Sequence, residues 1–375
     1  MRKIFVLLLS LGIPQLSLAQ QAERLDVQIP VICYASDESP GTRIFHNPAH
    51  YARLRNALNH GNSTRQRADI RVEYNGFSEE AKAAFQAAVD IWAGLISSPV
   101  PIRINATWQS LDEVVLGSAI WNTAFRNFDG AKQLNTWYPV ALAEKMARQE
   151  LNSPNEPDIV ANFNSRAPWY LGTDGNPAPN QFDLVTVVLH EIGHGLGFVD
   201  SFNYSEDSDL GTYGIQEFPF IFDLSVENSA RESLVEMGNN TVALGNALSS
   251  NAVYFNSPTS EASTGTRPRL YAPNPYDAGS SIAHLNENTY ASGNANSLMT
   301  PQIGFNEVMH DPGPVTLDMF GDMGWELTYI DSIDRPNTED ITSDTYTITA
   351  KVFSDIGFNP NEVRLFYSTD GFVAN

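Results

Sequence analysis

The chain is 375 residues long and carries 44 acidic against 22 basic side chains, a net charge of −22. That length suits one large domain plus part of another, and the lack of any lysine/arginine block excludes nucleic acid as a partner, because nothing could neutralise its phosphates. A single cysteine, Cys33, excludes an internal disulfide.

In chain order, the first 19 residues read as a secretory signal peptide. Arg2 and Lys3 precede the apolar run Ile4 to Ile13, and Ser17-Leu18-Ala19 supplies the small residues of a cleavage site. The protein is therefore expected outside the cell. No cysteine follows the cleavage site, so a lipoprotein anchor is not expected, and no run approaches the ~20 apolar residues of a membrane span. Residues 20–67 are polar, punctuated by "ESPGTR" and "NHGNSTRQR", and from Ala22 to Arg67 they read as an irregular N-terminal extension or pro-segment.

A domain is expected over 68–328. Ala68 to Tyr74 reads as a strand. Ser78 opens a helix with Glu79 and Glu80 in its first turn, where the helix dipole favours acids, and Phe85, Val89, Trp92 and Ile96 recur at helical spacing. Val100 to Trp108 alternates as a second strand. Pro139 starts "PVALAEKMARQEL", a helix stopping before Pro154, and Asp158 to Asn164 is a third strand. With the helix that follows, the order is α+β or α/β.

That next helix lies in "VVLHEIGHGLGFVD", Val187 to Asp200. Leu184, Val187, Val188 and Ile192 form its apolar side. His190 and His194, four residues apart, project together and can converge on one zinc ion. Glu191 falls where a carboxylate can take a proton from a zinc-activated water. Gly193, Gly195 and Gly197 disfavour helix by ~1 kcal/mol each, so the helix should break just after the second histidine. A third ligand is needed, and Asp200, at the end of the same stretch, is one candidate.

"HEIGHGLGF" resembles the metzincin signature, in which the helix breaks at a glycine in the position of Gly197. Two further landmarks support the likeness. "NSLMTP", Asn296 to Pro301, is similar to the metzincin turn whose methionine, here Met299, lies beneath the metal as an apolar floor. "PGPVTLDMFGDMGW", with a helix from Pro314 to Gly324-Trp325, is similar to the C-terminal helix of leishmanolysin-like enzymes. The resemblance spans about Ala68 to Trp325 and points to a bacterial-type secreted member. It implies a metzincin-like catalytic domain of mixed sheet, zinc helix and C-terminal helix. It also implies a displaced third ligand close to the turn, for which His284 in "GSSIAHLNENTY" fits by order and residue type. His284 is the preferred third ligand, with Asp200 as the alternative. His46, His50 and His60, in the extension, and His310, after the turn, read as ordinary imidazoles.

Between Ser201 and Gly279 lies an Asn/Ser/Thr/Gly-rich insertion, read as part of a substrate cleft or as variable surface. Its acidic run "SEDSD", Ser205 to Asp209, is a possible calcium site. After Trp325, "DRPNTEDITSD" reads as a linker, and "YTITAKVF" and "EVRLFYS" as strands at the start of an incomplete Ig-like β-sandwich over 329–375.

The resemblance implies a zinc-dependent endopeptidase acting on proteins or peptides, with Glu191 as general base. The alternatives are a non-catalytic adhesive or binding protein on the same scaffold and a zinc hydrolase of a non-peptide substrate. A purely structural zinc site has no need of a base at Glu191. In some metzincins a pro-segment thiolate keeps the enzyme latent. Cys33 lies upstream as that requires, but "PVICYA" lacks the usual charged flanks, and a small buried hydrophobe is the simpler expectation.

Overall fold

The computed structural model describes residues 22–26, 31–45, 68–325, 328–334 and 349–354. The signal segment, His46, His50, His60 and the run "EVRLFYS" lie outside these residues. The fold is α+β.

The chain opens with three short strands, β1 (Glu23–Leu25), β2 (Val31–Ser36) and β3 (Arg43–Phe45), followed by β4 (Ile70–Asn75) and helix α1 (Glu79–Leu95). The Ser78 hydroxyl caps α1 by accepting from Ala81 N at 3.2 Å, and Ala81, Ala84, Phe85, Ala88, Val89, Trp92 and Leu95 form its buried stripe. Such a cap contributes ~1 kcal/mol, far less than the burial of Phe85 and Trp92 at ~2 kcal/mol or more each. Packing therefore dictates where the helix lies. There follow β5 (Ile102–Gln109), β6 (Val115–Trp121), β7 (Ala124–Arg126), β8 (Tyr138–Pro139), α2 (Val140–Ala147), β9 (Ile159–Asn164), β10 (Trp169–Tyr170), β11 (Phe182–Asp183) and α3 (Leu184–Leu196).

A six-stranded sheet in the order β16-β2-β6-β9-β5-β4 carries the core, where β16 is Gln302–Gly304. Strands β4, β5 and β9 run parallel, while β6 is antiparallel to both β9 and β2. Helices α1 and α3 pack against each other, and α3 also packs on β6 and β9. The Trp92 indole N–H donates to Leu189 O at 2.9 Å and ties the two helices together. Every residue of α3 is buried, so its polar residues must find partners inside the protein.

The described part of 22–67 is not irregular: β2 is an inner strand of the main sheet, β1 pairs with β7, and β3 pairs with β17 (Val308–His310). These strands of three to six residues are specified by pairing with distant segments rather than by local pattern. The helix begun at Pro139 also stops early, at Arg148, which adopts a left-handed conformation (φ 59°). Its cause is Glu144, whose carboxylate accepts from Leu151 N and Asn152 N and bends the chain into a turn.

The segment 201–279 contains β12 (Asn203–Ser205), β13 (Leu210–Thr212), β14 (Val226–Asn228), α4 (Val242–Leu248), β15 (Val253–Phe255) and α5 (Pro258–Thr264). It is not merely surface. Phe222, Val226, Leu234, Leu244 and Phe255 bury into the main core, and Phe222 meets Phe198 with ring centroids 5.2 Å apart. After β16 and β17, Pro314 opens α6 (Pro314–Phe320), which runs on into a wider turn ending at Trp325. β18 (Thr328–Asp334) pairs antiparallel with β19 (Thr349–Ser354), so a strand begins just before the expected linker. Among the described residues no helix is long and apolar enough to cross a membrane.

Candidate metal centre

His190 and His194 stand one turn apart on α3, which begins just after Asp183. The Asp183 side chain caps the helix by accepting from Thr186 N at 2.9 Å. The helix ends at Gly197, whose φ of 123° no side chain would readily accept. The turn it makes brings Phe198 O back to His194 Nδ1 at 2.7 Å. His190 Nδ1 lies 2.7 Å from Leu298 O, in the short turn Ser297–Met299.

His284 arrives from an irregular segment. Tyr271 N donates to His284 O, Ile282 N to Tyr271 O, and Leu285 N to Met299 O. These bonds fix the segment against the Met299 turn, and His284 Nδ1 lies 2.8 Å from Ser280 O. The candidate ligand atoms of His190, His194 and His284 lie within 4.8 Å of one another, and all three residues are fully buried.

A carbonyl oxygen only accepts, so each Nδ1 facing one carries the ring proton, and each neutral imidazole turns a lone pair at Nε2 inward. His190 Nε2 and His194 Nε2 approach to 2.9 Å, and His284 Nε2 has no partner. Protonation does not resolve this crowding. Burial lowers the His190 pKa to about 4 and that of His284 to about 3, and burial reinforced by its two neighbours puts His194 well below the usual imidazole range. Three converging lone pairs on neutral, buried rings are suited to a cation of borderline softness.

Glu191 is also fully buried, and neither carboxylate oxygen makes a hydrogen bond of good geometry, the Ala119 backbone lying close by. Burial raises its pKa well above the usual carboxylate range. It leans on β6 at Gly117, where an added Cβ would lie 3.0 Å from Glu191 Oε1 and 3.2 Å from Cγ. A side chain there would displace the carboxylate. Met299 is buried beneath α3: a Cβ on Gly193 would come within 2.8 Å of its sulfur. The small residue and the methionine thus set how closely the helix and the turn approach.

Asp200 is not in the histidine group. Its carboxylate accepts from Phe202 N at 2.6 Å, and burial, then its neighbour Asp223, push its pKa well up. Asp223 accepts from Ser201 N and Phe220 N, so both aspartates hold the chain's turn after α3. The "SEDSD" run closes the β12–β13 hairpin, with the Tyr204 hydroxyl on Asp209. It is not among the groups of metal-ligating side chains found in the described residues. Cys33, on β2, is buried and lies within 4.8 Å of His190 and Glu191, yet outside the three-histidine group.

His310 is a satisfied core imidazole, as expected of it, and not a member of the histidine group: its Nε2 meets Asp183 Oδ2 at 2.7 Å, while Met309 N donates to Thr186 Oγ1. Together these bonds clasp β17 to the start of α3. Sequence reasoning missed this clasp, Gly117 and the three carbonyls behind the histidines. Backbone oxygens leave no residue-type signal, and a glycine in a strand gives only a weak one.

A family model described as SPBPB7E8-like matches residues 57–241. The match takes in His190, Glu191 and His194 and stops short of His284 and Met299. No curated protein and no solved structure matches the chain.

Proposed function

We propose that the chain is a secreted zinc endopeptidase of the leishmanolysin-like metzincin type, with His190, His194 and His284 as ligands and Glu191 as general base. The observation that carries this reading is the 2.9 Å approach of two imidazole Nε2 atoms whose Nδ1 atoms both face carbonyls, with a third unpartnered Nε2 beside them. Zinc supplies Lewis-acid polarisation and brings the pKa of water down toward ~7. The carbonyls of Leu298, Phe198 and Ser280 hold the three rings in the ligating tautomer. With a dication held by the histidines, Glu191 would be ionised despite its burial, and it would take the proton of the attacking water and pass it to the leaving amine. No acyl-enzyme forms. Export by residues 1–19, a role for 20–67 as an N-terminal extension or pro-segment and an Ig-like unit from 329 belong to the same proposal, the last supported by the β18–β19 pair; the inner-strand place of β2 favours the extension.

A second reading, a metal held only structurally, is favoured by the complete burial of all four residues. Glu191 separates the two, because a structural site gains nothing from an unpartnered carboxylate beside it. Glu191→Gln keeps size and removes the base. Zinc is expected to stay near one per chain, while new internal termini generated in a protein mixture fall by orders of magnitude. Equal cleavage by the variant removes Glu191 from its role, and no cleavage by the zinc-loaded native chain favours the structural reading.

A further inference from the structure

A second group of ligating atoms shares a residue with the first. The Cys33 sulfur, a His190 nitrogen and a Glu191 oxygen also lie within 4.8 Å of one another, and all three residues are fully buried. Cys33 is brought there by β2, whose pairing sets Cys33 opposite Gly117, the residue against which Glu191 packs. The Glu191 carboxylate is buried with no hydrogen bond of good geometry, although the Ala119 backbone lies close enough to oppose the effect of burial, so an under-satisfied carboxylate points to a ligand independently of the thiol. Bond lengths of roughly 2.0–2.3 Å to nitrogen, oxygen and sulfur put tetrahedral ligands about 3.3–3.7 Å apart. Side-chain shifts of about 1 Å would bring the three atoms to that spacing.

We propose that Cys33, His190 and Glu191 form a second metal-binding set, alternative to the three histidines, that takes a thiophilic divalent cation. The two sets compete, because each needs His190. They differ in charge and softness. On binding, the Cys33 thiol and the Glu191 carboxyl give up their protons to solvent, and the resulting thiolate and carboxylate with a neutral imidazole balance a dication, whereas three imidazoles leave two positive charges for other groups to offset. Thiolate also selects softer ions than imidazole does. A cation held by the second set withdraws Glu191 from proton transfer and so switches off hydrolysis. That consequence rests on the peptidase reading, but the binding does not.

The test reads the metal and not turnover. The full chain, stripped of metal, is titrated with cadmium(II) while thiolate-to-cadmium charge-transfer absorption is followed in the ultraviolet. One equivalent is expected to bring up the band. Cys33→Ser abolishes it, and His194→Gln/His284→Gln, which dismantles only the first set, retains it. Glu191→Gln is expected to weaken cadmium about tenfold or more while leaving cobalt(II) binding by the histidines within about twofold. Absence of the band in the folded native chain overturns the proposal. So does a band lost with His194 and His284, since sulfur would then belong to a metal held by the histidines. Should the double variant fail to fold, the Glu191→Gln arm decides, and cadmium affinity insensitive to the amide overturns the set.

Discussion

The inward lone pairs of His190 and His194 are held by peptide carbonyls, and burial, reinforced at His194 by the neighbouring His190 and His284, keeps the rings neutral. This sets the acid tolerance of the centre. Metal binds neutral imidazole, so protons compete only as pH falls toward the depressed values, about 4 for His190 and about 3 for His284. Zinc affinity measured by competition with a chelator of known pH dependence is expected to be nearly flat from about pH 7.5 to 5.5. A steep fall starting near the ordinary imidazole pKa of ~6.5 would show that the rings are solvated. The identities of these residues were legible in the sequence because two histidines and a glutamate interrupt an otherwise apolar helix. Their tautomers were not, since the partners are backbone atoms from residues up to 108 positions away.

Helix α3 depends on its glycines for packing as much as for its end. A Cβ on Gly195 would lie 2.4 Å from Ile159 Cγ2 and 2.8 Å from its Cδ1, against the central strand β9. Alanine would gain ~1 kcal/mol of helix propensity, but overpacking a core costs ~1–3 kcal/mol. Gly195→Ala is therefore expected to lower the denaturation midpoint, and a raised midpoint would mean that α3 and β9 are less closely packed than the structure has them. On α2, burial, then the nearby Asp158, raises the Glu144 pKa to about 8. The sign follows from proton uptake: between about 4.5 and 8 the folded protein holds a proton that the unfolded chain has released, so Glu144 lowers stability as pH rises through that window. Glu144→Gln keeps a carbonyl oxygen for Leu151 N and Asn152 N. It is expected to raise Tm at pH 8 and to leave it nearly unchanged near pH 4.5. An equal effect at both pH values would contradict the buried-acid account. Elements with strong local pattern, α1, β5, β9 and α3, were legible in advance. β2 and β6 were not, because β2 is six residues in a polar stretch and both owe their place to long-range pairing.

Across the whole molecule, His284 is 90 residues from His194 in sequence, yet a contiguous set of bonds carries it to helix α3. The Met299 turn, the bridge from Tyr271 to His284 and the core of segment 201–279 all lie on that path. The sequence marked His284 by its order and type but left Asp200 open, because the turn after Gly197 could have closed either way. In the folded chain Asp200 accepts from Phe202 N, beside Asp223, and the three imidazoles gather without it. The claim that this fold builds a three-histidine zinc centre is tested most directly by zinc content and affinity of His284→Ala and Asp200→Ala beside the native chain. Tight zinc, near one per chain, is expected in the native protein and in Asp200→Ala and is expected to be lost in His284→Ala. Zinc retained without His284 and lost without Asp200 would contradict the account.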